Sequence, residues 1–71
     1  MTTFRAGRPV RWRTSQGMTH GRVVRMLTRD GHVKGHRYTA SKDDPQVLVR
    51  SDVSGEEAAH RPEALERADE S

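Results

Sequence analysis

The sequence predicts an all-β fold: a small barrel of about five short strands with a short C-terminal helical or 3-10 turn. Three observations point there. First, β-prone runs recur about every 10 residues and are separated by turn-forming residues. Second, the 71-residue chain has 22 hydrophobic residues, six of them alanine, so sixteen larger side chains must build any core. An open sheet of that size leaves edges that closure removes. Third, there is no cysteine, which excludes disulfides and thiolate zinc sites as staples. No apolar run approaches the roughly 20 residues of a membrane span. The first fourteen residues carry four arginines and no apolar stretch, so no signal peptide is expected. One soluble, monomeric, cytoplasmic domain is the expectation.

Each element has a local reason. Residues 10–14 alternate, with Val10 and Trp12 on one face and Arg11 and Arg13 on the other, and Pro9 suits a strand start. Ser15, Gln16 and Gly17 form a turn. Residues 19–28 are the longest β-prone run, and Gly21 within it predicts a bulge or sharp bend. Residues 29–32 read as a turn whose Asp30-Gly31 pair favours positive φ. Residues 33–40 read as a short polar strand interrupted by Gly35, and 41–45 as a loop. Residues 46–50 are the clearest buried strand. Residues 51–55 form a turn, and Glu56 to His60 pair back as a hairpin, although Glu and Ala there also suit a helix. Pro62, Glu63 and Ala64 predict one helical or 3-10 turn. The expected core is Val10, Trp12, Val23, Leu27, Leu48 and Leu65, with Val24, Val47 and Val49 as further candidates. Phe4 is expected to plug one barrel end. Residues 4–66 form the domain and 67–71 a frayed polar tail.

Charge is unevenly spread. Lysine and arginine total 13 against 10 acids, a net charge of +3. Residues 1–37 hold nine cations and one acid, while residues 38–71 hold four cations and nine acids. That split fits an anion-seeking half, or two halves that satisfy each other across adjacent strands.

A run of short motifs resembles a known family: Gly7, Val10 and Trp12; Thr19, Gly21, Val23 and Val24; Ala40 to Val49; Ser51 to Gly55; and Ala58 to Leu65. Together they resemble the hypervirulence-associated Tudor-like domain family, small bacterial and fungal proteins long described as a domain of unknown function. The resemblance spans roughly residues 4–66 and implies an SH3-like, Tudor-type barrel. It implies no activity. Relatives often carry an aromatic residue before Leu48, where this chain has Val47, so one candidate stacking side chain is missing.

No cofactor is expected. A cage for a methylated cation needs three or four aromatic walls, and only Phe4, Trp12 and Tyr38 exist. The four histidines, His20, His32, His36 and His60, lack a ligand spacing suited to strands. Ser54, His60 and Asp52 sit close in sequence without a nucleophile-elbow context. Asp43 and Asp44 before Pro45 read as turn-capping carboxylates. A barrel this small is also expected to lack a hollow of about 300 Å³, so no catalysis is expected. The leading expectation is a non-catalytic binding module for a protein or peptide partner, with a groove near Tyr38, Lys42 and Asp43 along the 30–44 loop. The alternative is nucleic-acid binding through Arg11, Arg13, Arg22 and Arg25, which two adjacent strands would gather into one patch.

Overall fold

The computed structural model describes residues 4–68. Strand β1 (Pro9–Thr14) turns into the long β2 (Gly17–Leu27), paired antiparallel from Pro9 opposite Arg22 to Thr14 opposite Gly17. A small hairpin follows, β3 (Gly31–Val33) and β4 (His36–Tyr38). Then come β5 (Gln46–Ser51), β6 (Glu57–His60), a 3-10 turn (Pro62–Ala64) and β7 (Leu65–Arg67). The main sheet is antiparallel with order β6-β5-β2-β1-β7. It coils far enough that Trp12 of β1 meets His60 of β6, with two strands between them in the sheet and ring centroids 5.4 Å apart. The all-β, Tudor-like architecture matches the sequence expectation.

The core lies inside this coil. Period-two alternation turns Val10 and Trp12, Val23, Val47 and Val49, and Leu65 inward, and Phe4 joins them. Met26 packs against the cluster. Leu27 and Leu48 are also buried, but outside that cluster: their partners across β2 and β5 are Gln46 and Arg25, on the outer side of the sheet. Gln46 is buried there, and its Nε2 donates to the Thr39 carbonyl at 2.7 Å. That bond ties the segment after β4 to this end of the sheet. Val24 is only half-buried.

Four local expectations need correction. The bulge falls between Val23 and Arg25 rather than at Gly21. Gly21 serves a different need: a Cβ there would overlap the Arg50 carbonyl of β5. The turn expected at Asp30 and Gly31 is not left-handed. Gly31 opens β3, and the tight turn uses Lys34 and Gly35, with φ of 49° and 81°. What Gly31 provides is room, because the Tyr38 ring lies over it and a Cβ would come 2.5 Å from Oη. Asp30 instead accepts the Ala40 amide at 2.9 Å and closes the base of the hairpin. Residues 33–40 are consequently two strands and not one. Finally, β7 was not anticipated. It pairs with β1 from Val10 opposite Arg67 to Trp12 opposite Leu65, and the Ala68 amide donates to the Pro9 carbonyl at 3.1 Å. Arg67 is thereby part of the sheet, and residues 69–71 of the expected tail lie outside the described residues.

Candidate functional site

An open groove of about 550 Å³ runs between the β1–β2 turn and the β5–β6 turn. The expectation that so small a domain has no such hollow is overturned, because residues of both turns border the space between them. Trp12 and His60 line its floor. Met18 stands on one wall and Val53 on the other. They are the exposed large hydrophobics among the described residues, at 51 % and 73 % exposure.

Both walls are held in shape by short hydroxyl side chains, which bond locally to turn backbone. On the first, the Gln16 amide donates to Thr14 Oγ1 at 3.1 Å, and Thr14 Oγ1 donates to the Gly17 carbonyl at 2.9 Å. Gly17 takes φ 114°, a conformation that penalises any side chain. On the second, Ser51 Oγ accepts the amides of Val53 and Ser54 at 3.1 and 3.2 Å, and Ser54 Oγ accepts that of Glu56 at 3.2 Å. The Asp52 amide donates to the His20 carbonyl at 3.0 Å, and His20 Nδ1 lies 3.3 Å from Asp52 Oδ2. This second turn is thus fastened to β2. The walls are set before any ligand arrives, which lowers the ordering cost of binding.

On the floor, His60 is half-buried and tilted 42° to the Trp12 ring. Burial pushes its pKa below the ordinary histidine value. The neutral imidazole offers one donor and one acceptor to a ligand. Arg13 lines one side of the groove and Glu56 and Glu57 the other.

The residues expected to line a groove near the 30–44 loop are separated. Tyr38 lines a smaller hollow of about 190 Å³, shared with Val33 and His36 of the hairpin and Ala58 and Ala59 of β6. Lys42 and Asp43 are exposed in the 41–44 turn, which closes through Ser41 and Asp44. Asp44 also pairs with Arg61 at 2.7 Å. The groove between the two turns was missed. Its signal was present: Val53 and Met18 are apolar residues in or beside polar turns that no strand pattern uses.

The arginines are better gathered. Arg11, Arg22 and Arg25 share the outer face of the sheet, since the bulge after Val23 restores Arg25 to the side occupied by Arg22. Arg50, opposite Arg22, joins them. Arg13 lies at the far end, opposite Met18, where it lines the groove. Arg11 Nε donates to Glu66 Oε1 at 3.1 Å, and Arg22 Nη1 to the Gly7 carbonyl at 2.9 Å. The aromatics sit elsewhere: Phe4 and Trp12 are 4 % and 5 % exposed, and Tyr38 covers Gly31. Among the described residues, no group of three or more His, Asp or Glu is placed to hold a metal ion. No helix among them is long and apolar enough to cross a membrane.

A family model described as "Hypervirulence associated proteins TUDOR domain" matches residues 7–65. The chain belongs to this family. The matched span begins at Gly7, whose carbonyl receives Arg22, and ends at Leu65, the inward residue of β7. No curated protein and no solved structure matches the chain. Membership in the hypervirulence-associated Tudor family supports a small binding module in general terms and names no partner.

Proposed function

We propose that this Tudor-type domain is a non-catalytic module that grips an extended segment of a partner protein in the groove between the β1–β2 and β5–β6 turns. One observation carries this reading: Met18 and Val53, exposed on a chain short of large apolar residues, line the same groove from the start of β2 and from the β5–β6 turn. Isolated exposed apolar residues need no explanation, but two on opposing walls over an aromatic floor suit an apolar side chain of a ligand. The hydroxyls and His60 around them supply hydrogen bonds to a peptide backbone. The chemically capable side chains have other roles. Ser54 caps its own turn, Asp52 contacts His20, and Asp44 pairs with Arg61.

The test is selection from a displayed library of unstructured peptides, followed by titration with Trp12 fluorescence and amide NMR. Trp12 is the single tryptophan, so its emission reports the floor directly. Selected peptides should share an apolar residue and shift the amides of Met18 and Val53. Burying two partly exposed apolar side chains is worth about 1–2 kcal/mol here, so Met18→Ser with Val53→Ser should weaken binding by about 10-fold or more. Unchanged affinity in that double variant would refute the assignment.

A further inference from the structure

We propose that the outer face of the sheet, centred on Arg22 and Arg50, binds the phosphate backbone of duplex nucleic acid without reading its sequence. Arg22 and Arg50 stand directly opposite each other in the β2–β5 register. Like charges in that relation oppose sheet pairing. Neither is compensated by an ion pair among the described residues. Arg22 Nη1 donates to the Gly7 carbonyl at 2.9 Å, and Arg50 Nε to the Gly55 carbonyl at 3.3 Å. These contacts orient each guanidinium while using one of its five N–H groups, and they leave both charges in place. Two guanidinium forks carried on neighbouring strands can each give a phosphate diester two parallel bonds.

The surroundings extend the site. The bulge between Val23 and Arg25 moves Arg25 onto the same face, and among the described residues it has no ion-pair partner. Without the bulge, a spacing of three residues would put Arg22 and Arg25 on opposite faces. Arg11 stands opposite His20, two residues from Arg22, and so lies about 7–8 Å away on the diagonal. Its bond to Glu66 is an exposed ion pair that a phosphate can replace at little cost. Carboxylates bound the patch on one side: Glu57 is opposite Arg50, and Asp52 is beside His20. With Glu66 opposite Arg11 on the β7 side, they flank the patch on both sides and leave Arg22 and Arg25 as its arginines without a carboxylate directly opposite.

The placement of the aromatics selects the kind of nucleic acid. Single-strand binders stack bases on exposed rings. Phe4 and Trp12 are buried in the core, and Tyr38 covers Gly31 in the small hairpin, so among the described residues no Phe, Trp or Tyr ring lies on the arginine face. Backbone contacts alone remain, and those position a duplex without specifying its sequence.

Fluorescence anisotropy of a short labelled duplex with the full-length chain tests this. Four phosphates neutralised predict a slope of log affinity against log salt of about −3.6, hence about a 150-fold loss between roughly 50 and 200 mM salt. Duplexes of unrelated sequence should bind alike, and the matching single strand more weakly. Arg25→Gln should bring the slope to about −2.7. Arg22→Gln with Arg50→Gln should weaken duplex binding more than 10-fold and leave the melting temperature unchanged or higher. Met18→Ser with Val53→Ser should leave duplex affinity intact, which separates this face from the groove. The proposal is overturned by absence of binding at low salt, by a salt slope that Arg25→Gln does not move, or by tighter binding of the single strand. It is also overturned if polyglutamate binds as tightly as duplex, which would assign the face to acidic proteins. Should the double variant fail to fold, Arg25→Gln alone decides.

Discussion

Gly21→Ala tests the point at which the sheet is most tightly constrained. Gly21 lies in the middle of β2, opposite Ser51, and its φ needs no special freedom. The requirement is spatial. A Cβ would overlap the Arg50 carbonyl oxygen, and would lie 2.8 Å from that carbonyl carbon and 3.0 Å from Ser51 Cα. Comfortable carbon contacts are about 3.5–4.0 Å, so β5 would have to retreat by roughly 1 Å. Backbone cannot rotate aside as a side chain does. The neighbouring bond from the Asp52 amide to the His20 carbonyl, now 3.0 Å, would stretch past any useful length. Loss of one or two such bonds at about 1 kcal/mol each, with about 1–3 kcal/mol of overpacking, gives about 2–5 kcal/mol, with a midpoint of about 3–4 kcal/mol.

A domain of this length has a total stability of roughly 4–10 kcal/mol. At that midpoint the variant should melt about 12–32 °C lower, read by circular dichroism with a parallel urea titration. Gly31→Ala is the internal control. Its Cβ would also come too close to a neighbour, 2.5 Å from Tyr38 Oη, but that neighbour is the tip of a side chain that can swing away. It should cost about 1 kcal/mol or less and change tyrosine exposure instead. A Gly21→Ala protein melting within a few degrees of the parent, or a Gly31→Ala protein hurt as badly, would refute the reasoning.

Three further outcomes follow from individual residues. Burial lowers the His60 pKa in the folded state, so below the ordinary histidine value the unfolded chain binds more protons. The His60 contribution is complete above about pH 6.5 and is lost as pH falls through the lowered folded value; subtracting the stability profile of His60→Gln should isolate this loss. Lys34 adopts φ 49° at the hairpin tip, a conformation asparagine tolerates better, so Lys34→Asn should raise the melting temperature by a few degrees, about 0.5–1 kcal/mol. Trp12→Ala removes the largest core side chain and should cost about 3–5 kcal/mol, leaving the chain close to unfolded by circular dichroism at room temperature.

The elements that alternation specifies were legible before any coordinates. Val10 and Trp12 inward with Arg11 and Arg13 outward is a period-two statement, and the structure keeps it. Residues 46–50 read as the clearest buried strand, and Gln46 to Val49 are buried. What escaped depended on contacts distant in sequence. Gly21 and Gly31 look like turn or bulge residues, because sequence cannot show that a carbonyl of β5 or the ring of Tyr38 will occupy the missing Cβ. β7 has three residues, and its pairing becomes visible only once β1 offers an edge. Arg50 was left out of the basic patch for the same reason: its neighbour Arg22 lies 28 positions away, and register alone unites them.

Family membership settles the barrel without settling its ligand, and the cause is physical. The strands are fixed by an inward set of valines, leucines and one tryptophan, whereas recognition depends on whatever the turns and the outer face present. A Tudor-type domain that clasps a methylated cation needs several exposed aromatic faces. Here Trp12 is committed to the floor at 5 % exposure, and the opposing turns carry methionine, valine and hydroxyls instead. In the groove proposed above, apolar contact and hydrogen bonding would take the place of cation–π attraction. Arg11, Arg22, Arg25 and Arg50 stand on the outer face of the sheet, while Arg13 borders the groove. On the two proposals above, binding in the groove would be apolar and insensitive to salt, and binding on the arginine face ionic and steeply dependent on it.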